Sequence, residues 1–143
     1  AALHEIGFAI SHSDYHKHGA YILENADLLG FSMQELQRLG LLVLGHRGKL
    51  RKLDADFEEA EFVKMLFALR MAVILCHARK NPDQTGLEVS CNDKGKVFTL
   101  EADADWIENY PQSVHLLRQE VIAWQKTPWT FAFTQAIRVK QPA

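Results

Sequence analysis

The sequence predicts an α+β fold, a mainly helical bundle followed by a small antiparallel β-sheet with one packed helix. Three observations carry that expectation. Apolar residues recur at steps of three and four through about residue 80. Beyond Asn81-Pro82-Asp83 the period becomes two, the signature of half-buried strands. Between Pro111 and Lys126 the helical spacing returns, before a last alternating run of Trp129, Phe131 and Phe133. With 143 residues, 48% of them hydrophobic and 24% charged, the chain can bury about 70% of its unfolded surface. Such a composition excludes disorder and low complexity.

Leu3, Ile6 and Ile10 place a first helix over residues 1–10. It begins abruptly, with neither an initiator Met nor a basic, signal-like leader, and reads as part of a domain excised from a longer protein. Ser13 or Asp14 can offer an oxygen to the first-turn amides of a helix over Tyr15–Asn25, which Asp27-Leu28-Leu29-Gly30 ends. Ser32-Met33-Gln34-Glu35 is a capping box, in which hydroxyl and carboxylate satisfy two orphan amides reciprocally. It predicts a helix over Met33–Leu44 that buries Leu36, Leu39 and Val43.

Gly45-His46-Arg47-Gly48 breaks that helix, and Lys49, Arg51 and Lys52 form a basic connector. Asp54 or Asp56 then starts the longest helix, which runs to about Arg79 because Asn81-Pro82 cannot continue it. Its predicted buried rows are Phe62, Leu66, Leu69, Val73 and Cys76, with Met65, Ala68, Ala72 and Leu75 beside them. Leu87, Val89 and Cys91 alternate, Asn92 to Gly95 carries turn chemistry, and Phe98 and Leu100 share a face, which together predict a β-hairpin. Pro111 suits a helix start, and Val114, Leu117, Val121 and Trp124 stripe the helix that follows. The expected organisation is a helical domain over 1–80 and a small α+β domain over 81–143, ordered strand, strand, helix, strand.

A net charge of −2 argues against binding nucleic acid or anionic membrane by bulk electrostatics. The longest weakly charged run, Met65–Cys76, carries Arg70 and falls short of the ~20 apolar residues of a membrane span. Cys76 and Cys91 show no metal or redox spacing and predict buried, reduced thiols, hence a cytoplasmic setting. Trp106, Trp124 and Trp129 lie at core spacing, and neither His77 nor His115 has an obvious partner.

Five of the seven histidines, His4, His12, His16, His18 and His46, fall in the first 46 residues. On a helix His16 and His18 sit about 200° apart, so both cannot enter one site. His4-Glu5 pairs an imidazole with a carboxylate, a combination able to hold a divalent ion, although hydrogen-bonded surface histidines fit the same residues. A second candidate is electrostatic. Lys17, Arg47, Lys49, Arg51, Lys52 and Arg70, with His16, His18 and His46, can line a path for a linear polyanion, since repeated cations offset its dense charge. The plainer reading makes Lys49 and Lys52 solvated connector charges and pairs Arg70 with Glu59 or Asp56. No glycine-rich phosphate loop and no nucleophile elbow around Ser11 or Ser13 is present.

Leu3-His4-Glu5-Ile6-Gly7 and the run from Ser11-His12-Ser13-Asp14-Tyr15-His16-Lys17-His18 to Asp27-Leu28-Leu29-Gly30-Phe31-Ser32 resemble the C-terminal region of the Ppx/GppA phosphatases. These are the exopolyphosphatases and guanosine pentaphosphate phosphohydrolases. His46-Arg47, Leu69-Arg70 and the tail with Trp106 and Trp124 extend the resemblance over nearly the whole chain, and His16-Lys17-His18 with His46-Arg47 resembles the exopolyphosphatase branch. The resemblance implies an HD-like helical domain followed by a small α+β domain. It also implies that two upstream actin-like domains, with Mg²⁺, hydrolyse the terminal phosphate of inorganic polyphosphate. This chain would then hold no catalytic residue and no cofactor, bind polyphosphate through His16, Lys17, His18, His46, Arg47 and Arg70, and help form a homodimer. Its partners would be inorganic polyphosphate or guanosine pentaphosphate and the upstream domains of the same protein.

His4-Glu5 resembles the His-Asp dyad of HD phosphohydrolases, whose last metal ligand is an aspartate in a Leu-Arg-x-Ala-Asp pattern. Leu69-Arg70-Met71-Ala72-Val73 puts Val73 there, and a valine cannot ligate. No metal site is therefore expected. The alternatives are an autonomous HD-type metal-dependent phosphohydrolase acting on a nucleotide, and the corresponding region of a guanosine pentaphosphate phosphohydrolase.

Overall fold

The computed structural model of the chain describes residues 4–11, 13–26, 30–77 and 83–137. Two units divide it, Ala1–Val73 and Ile74–Ala143. In the first, a 3-10 turn at Ile6–Ala9 precedes α1 (Tyr15–Asn25), α2 (Met33–Gly45), a second 3-10 turn at Leu50–Lys52, and α3 (Ala60–Leu75), whose last two residues belong to the second unit.

The capping box at Ser32 forms as read: the Glu35 N–H donates to Ser32 Oγ at 3.1 Å, and the Ser32 N–H donates to Glu35 Oε2 at 2.7 Å. α1 occupies its predicted span, yet no side chain caps it. Asp14 takes the left-handed conformation, φ 52°, rather than the extended one a capping side chain needs, and only its carbonyl accepts from the first turn. α1 packs on α2. The approach is so close that a Cβ at Gly19 would lie 2.8 Å from Val43 Cγ1. Leu23, Val43, Leu50, Val63 and Leu66 fill the core of this unit.

Two expectations for this unit are corrected. The helix over residues 1–10 is only the short 3-10 turn among the described residues, and residues 1–3 lie outside them. α3 begins at Ala60 rather than at Asp54 or Asp56, because the Asp56 carboxylate accepts from the Glu58 N–H at 2.9 Å and closes a turn instead of a helix. It ends at Leu75, and Arg79 and Asn81-Pro82 lie outside the described residues. Its buried side is Phe62, Val63, Leu66, Phe67, Arg70 and Met71. Met65, Ala68 and Ala72 are exposed. Only Glu61, Lys64 and Arg70 carry charge along the helix, so apolar side chains surround it and periodicity alone could not choose the face.

The second unit holds β1 (Leu87–Asn92), β2 (Val97–Ala102), α4 (Ala104–Asn109), α5 (Pro111–Trp124) and β3 (Thr130–Gln135). The fold class is α+β as predicted, and the hairpin forms with Leu87 opposite Ala102 and Asn92 opposite Val97. The sheet is mixed rather than wholly antiparallel. β3 pairs in parallel with β2, Val97 opposite Thr130, because α4 and α5 return the chain to the end where β2 starts. Sequence periodicity also missed α4, a six-residue helix capped where the Trp106 N–H donates to Asp103 Oδ1 at 2.8 Å. Phe98, Leu100, Phe131, Trp124 and Trp129 are buried together in this unit's core. Trp124 Nε1 donates to the buried Glu120 carboxylate at 2.9 Å, and Trp106 Nε1 to the Asp83 carbonyl at 3.0 Å.

Cys76 and Cys91 are exposed, which corrects the expectation of buried thiols; no disulfide joins them. Cys91 stands on the edge strand β1, and Cys76 in the turn after α3. Among the described residues no helix is long and apolar enough to cross a membrane.

Candidate functional site

The loop after α2 is the organising feature of the first unit. Gly48 adopts φ +82°, which turns the chain out of the helix at little steric cost. From α3, the buried Arg70 reaches that loop: Nη1 donates to the Gly45 carbonyl at 2.7 Å and Nη2 to the Gly48 carbonyl at 3.2 Å. A guanidinium at the carbonyl end of α2 also meets the negative end of the helix dipole. Arg70 thus spans both ends of the segment that carries His46 and Arg47. Glu59, considered as its carboxylate partner, is instead held by Arg38 at 2.7 Å.

His46 is 2% exposed. Its Nδ1 faces the Val43 carbonyl, which can only accept, so Nδ1 carries the proton and Nε2 presents a lone pair to the Tyr15 hydroxyl at 3.1 Å. Burial pushes the His46 pKa down to about 4, against the pull of the Val43 bond and with help from His4, His16 and Arg47. The ring is neutral at physiological pH. In this state His46 accepts from the Tyr15 hydroxyl and holds that ring.

Tyr15, the first residue of α1, is buried, with Phe8 stacked on its ring at 4.1 Å. The Arg47 guanidinium carbon lies 4.8 Å from the centre of the same ring. Arg47 itself is exposed. His16, the next residue of α1, is half-buried and points its ring edge at His46, centroids 6.4 Å apart. Partial burial lowers its pKa, and Arg47 adds to that, with Asp14 opposing. His16 Nδ1 is buried without a hydrogen-bond partner among the described residues.

The structure therefore brings together His16, His46, Arg47 and Arg70 of the predicted set. Lys17 is exposed beside them on α1, its ammonium 3.8 Å from Asp14. His18 lies two residues beyond His16 and so on another side of the helix. Lys49, Arg51 and Lys52 are exposed connector charges. Tyr15 was missed as a site residue; its signal was a large aromatic at a helix start beside a histidine-rich run, 31 positions from its partner. Trp106, Trp124 and Trp129 belong to the second unit's core, as their spacing indicated.

His4 Nε2 lies 3.8 Å from Glu5 Oε1, and the His4 ring meets His46 edge-on at 5.1 Å. Both ring nitrogens of His46 are engaged, and Val73 has no donor atom. Among the described residues no three His, Cys, Asp or Glu side chains converge as metal ligands. His12 lies outside the described residues. The described residues therefore do not make up the three-ligand set of a zinc-type centre. What the arrangement offers chemically is a fixed, planar cation at the surface, flanked by further positive or proton-accepting groups, suited to a multivalent anion.

The family described as Ppx/GppA phosphatase, domain III, matches residues 1–121. The chain is 37% identical over 134 residues to a guanosine-5'-triphosphate,3'-diphosphate pyrophosphatase of Pseudoalteromonas translucida, an alignment covering 90% of this chain and 26% of the relative. Proteins of the same name from Vibrio vulnificus and Vibrio parahaemolyticus are each 33% identical, over 87% and 89% of this chain and 26% and 27% of their own length. The chain spans about a quarter of the curated relatives it matches.

Proposed function

The chain belongs to the Ppx/GppA phosphatase family, and from that premise we propose that it is the accessory C-terminal region of a phosphoanhydride hydrolase, binding the phosphate chain of a substrate cleaved by upstream domains. The observation that carries this reading is the exposed Arg47 guanidinium held over the buried Tyr15 ring, next to His16. Arg47, His16 and Lys17 are the proposed anion contacts, Arg70 and His46 the residues that hold the loop, and His18, on another side of α1, stands outside the set. The relatives' name favours guanosine pentaphosphate as the substrate. Inorganic polyphosphate is the second reading, supported by the resemblance of the His16-Lys17-His18 and His46-Arg47 runs to the exopolyphosphatase branch.

Upstream domains and a second copy of the chain, forming a homodimer, are the proposed protein partners, and the exposed Phe31, Met33 and Met65 are apolar surface available to them. A reducing, cytoplasmic setting suits the two exposed thiols. Phosphate release from guanosine pentaphosphate and from polyphosphate, measured with the whole protein and with these 143 residues alone, tests the reading. Release by the whole protein only is the expected result. Metal-dependent turnover by the 143-residue chain would establish the autonomous hydrolase instead.

A further inference from the structure

Arg47 is the one charged side chain of the segment Gly45-His46-Arg47-Gly48, and long exposed arginines ordinarily sample many rotamers, with an entropic cost when a ligand selects one. Here the sampling is restricted. The guanidinium stands 4.8 Å from the Tyr15 ring centre, within cation–π range. The ring cannot drift, because Phe8 stacks on it at 4.1 Å and its hydroxyl is tied to the buried His46, whose other nitrogen is tied to the Val43 carbonyl. The loop that bears Arg47 is pinned at Gly45 and Gly48 by Arg70. A guanidinium that lies flat over an aromatic face leaves its edge, where all five N–H donors sit, open to solvent, and Arg47 is exposed. An edge-on planar fork matches two oxygens of a phosphate, whereas a lysine ammonium, having no face, could not be oriented by the same ring.

We propose that Tyr15 is the positioning residue of the anion site: its ring, fixed by His46, presents the edge of the Arg47 guanidinium to a linear phosphate chain. The inference rests on the phosphate-chain reading above. It assigns a binding role to a side chain that itself touches no ligand, and it makes the shape of the cation, not only its charge, matter to affinity. The recognised group is a chain of phosphates, which guanosine pentaphosphate and inorganic polyphosphate share.

Binding of inorganic tripolyphosphate and of guanosine pentaphosphate to the whole protein tests it, with folding of each variant checked by circular dichroism. Arg47→Ala should weaken both about tenfold, the loss of one charge-assisted contact. Arg47→Lys should weaken both about threefold in the native background and not at all in the Tyr15→Leu background, since the ring then no longer selects a planar group. Tyr15→Phe, which keeps the ring and frees it from His46, should fall between the native protein and Tyr15→Leu. An Arg47→Lys variant that binds as tightly as the native protein overturns the proposal even if Tyr15→Leu does not fold. Equal losses from Arg47→Lys in both backgrounds overturn it too, and so does a loss confined to the guanosine probe. Failure of the native protein to bind either probe overturns the phosphate-chain reading itself, a result distinct from intact binding that ignores Tyr15.

Discussion

Tyr15 and His46 lie 31 residues apart and meet through a hydrogen bond of 3.1 Å, in which the tyrosine hydroxyl donates to the unprotonated Nε2. That bond joins the first residue of α1 to the loop leaving α2, and the pH behaviour and the surface chemistry of the first unit follow from it.

The folded-state pKa of His46, about 4, lies below the ordinary histidine value of 6.5. The unfolded chain therefore binds the proton first as pH falls, and stability drops from pH 6.5 towards 4, with the full contribution present above 6.5. The difference amounts to up to about 3 kcal/mol. Urea denaturation between pH 7 and pH 4.5 should show this loss, and His46→Gln should flatten that part of the profile. An unchanged slope in the variant would assign the acid sensitivity elsewhere.

Removing Arg70 leaves the Gly45 and Gly48 carbonyls without the guanidinium that spans them. Arg70→Met keeps much of the buried stem and loses the donors, so a destabilisation of about 3 kcal/mol is expected. The denaturation midpoint measures it. A variant as stable as the native protein would show that the loop is held by other contacts.

The capping box makes a local prediction. Ser32→Ala removes the oxygen that accepts from the Glu35 N–H, at a cost of about 1 kcal/mol, and Ser32→Asp should restore most of it. Thermal unfolding of the two variants side by side gives the comparison.

In the second unit, Trp124→Phe retains most of the buried ring and deletes the indole N–H that donates to Glu120. A loss of about 2 kcal/mol is expected from the weakened solvation of a buried carboxylate. Pairing the change with Glu120→Leu, which removes the carboxylate as well, should cost less than the sum of the two single changes. Additive costs would mean that the bond contributes nothing of its own.

Legibility in the sequence followed the range of the interaction. Ser32 and Glu35 are three residues apart, and their bonds could be read from spacing alone. The Val89–Leu100 register of the hairpin was equally accessible, because a short turn fixes it. Asp14 has the right chemistry for a cap and the wrong backbone, φ 52°, which spacing in the sequence does not reveal. The parallel pairing of β3 depends on α4, too short to register as a period, and on where the crossover deposits the chain. His16, Lys17 and Arg47 stand out in the sequence by their charge, whereas the Tyr15–His46 contact does not, because nothing near Tyr15 in sequence announces His46. Arg70 was identified as important for its charge. Its targets are two backbone carbonyls, which no side-chain pattern marks.

Arg47 is proposed to meet the phosphate chain at this surface. The most direct test is the affinity of the whole protein for inorganic tripolyphosphate as salt is raised, with and without Arg47→Ala. The account predicts about tenfold weaker binding for the variant at low salt and a shallower salt dependence, because one fewer cation displaces counterions. Identical affinity and identical salt dependence in the two proteins would contradict it.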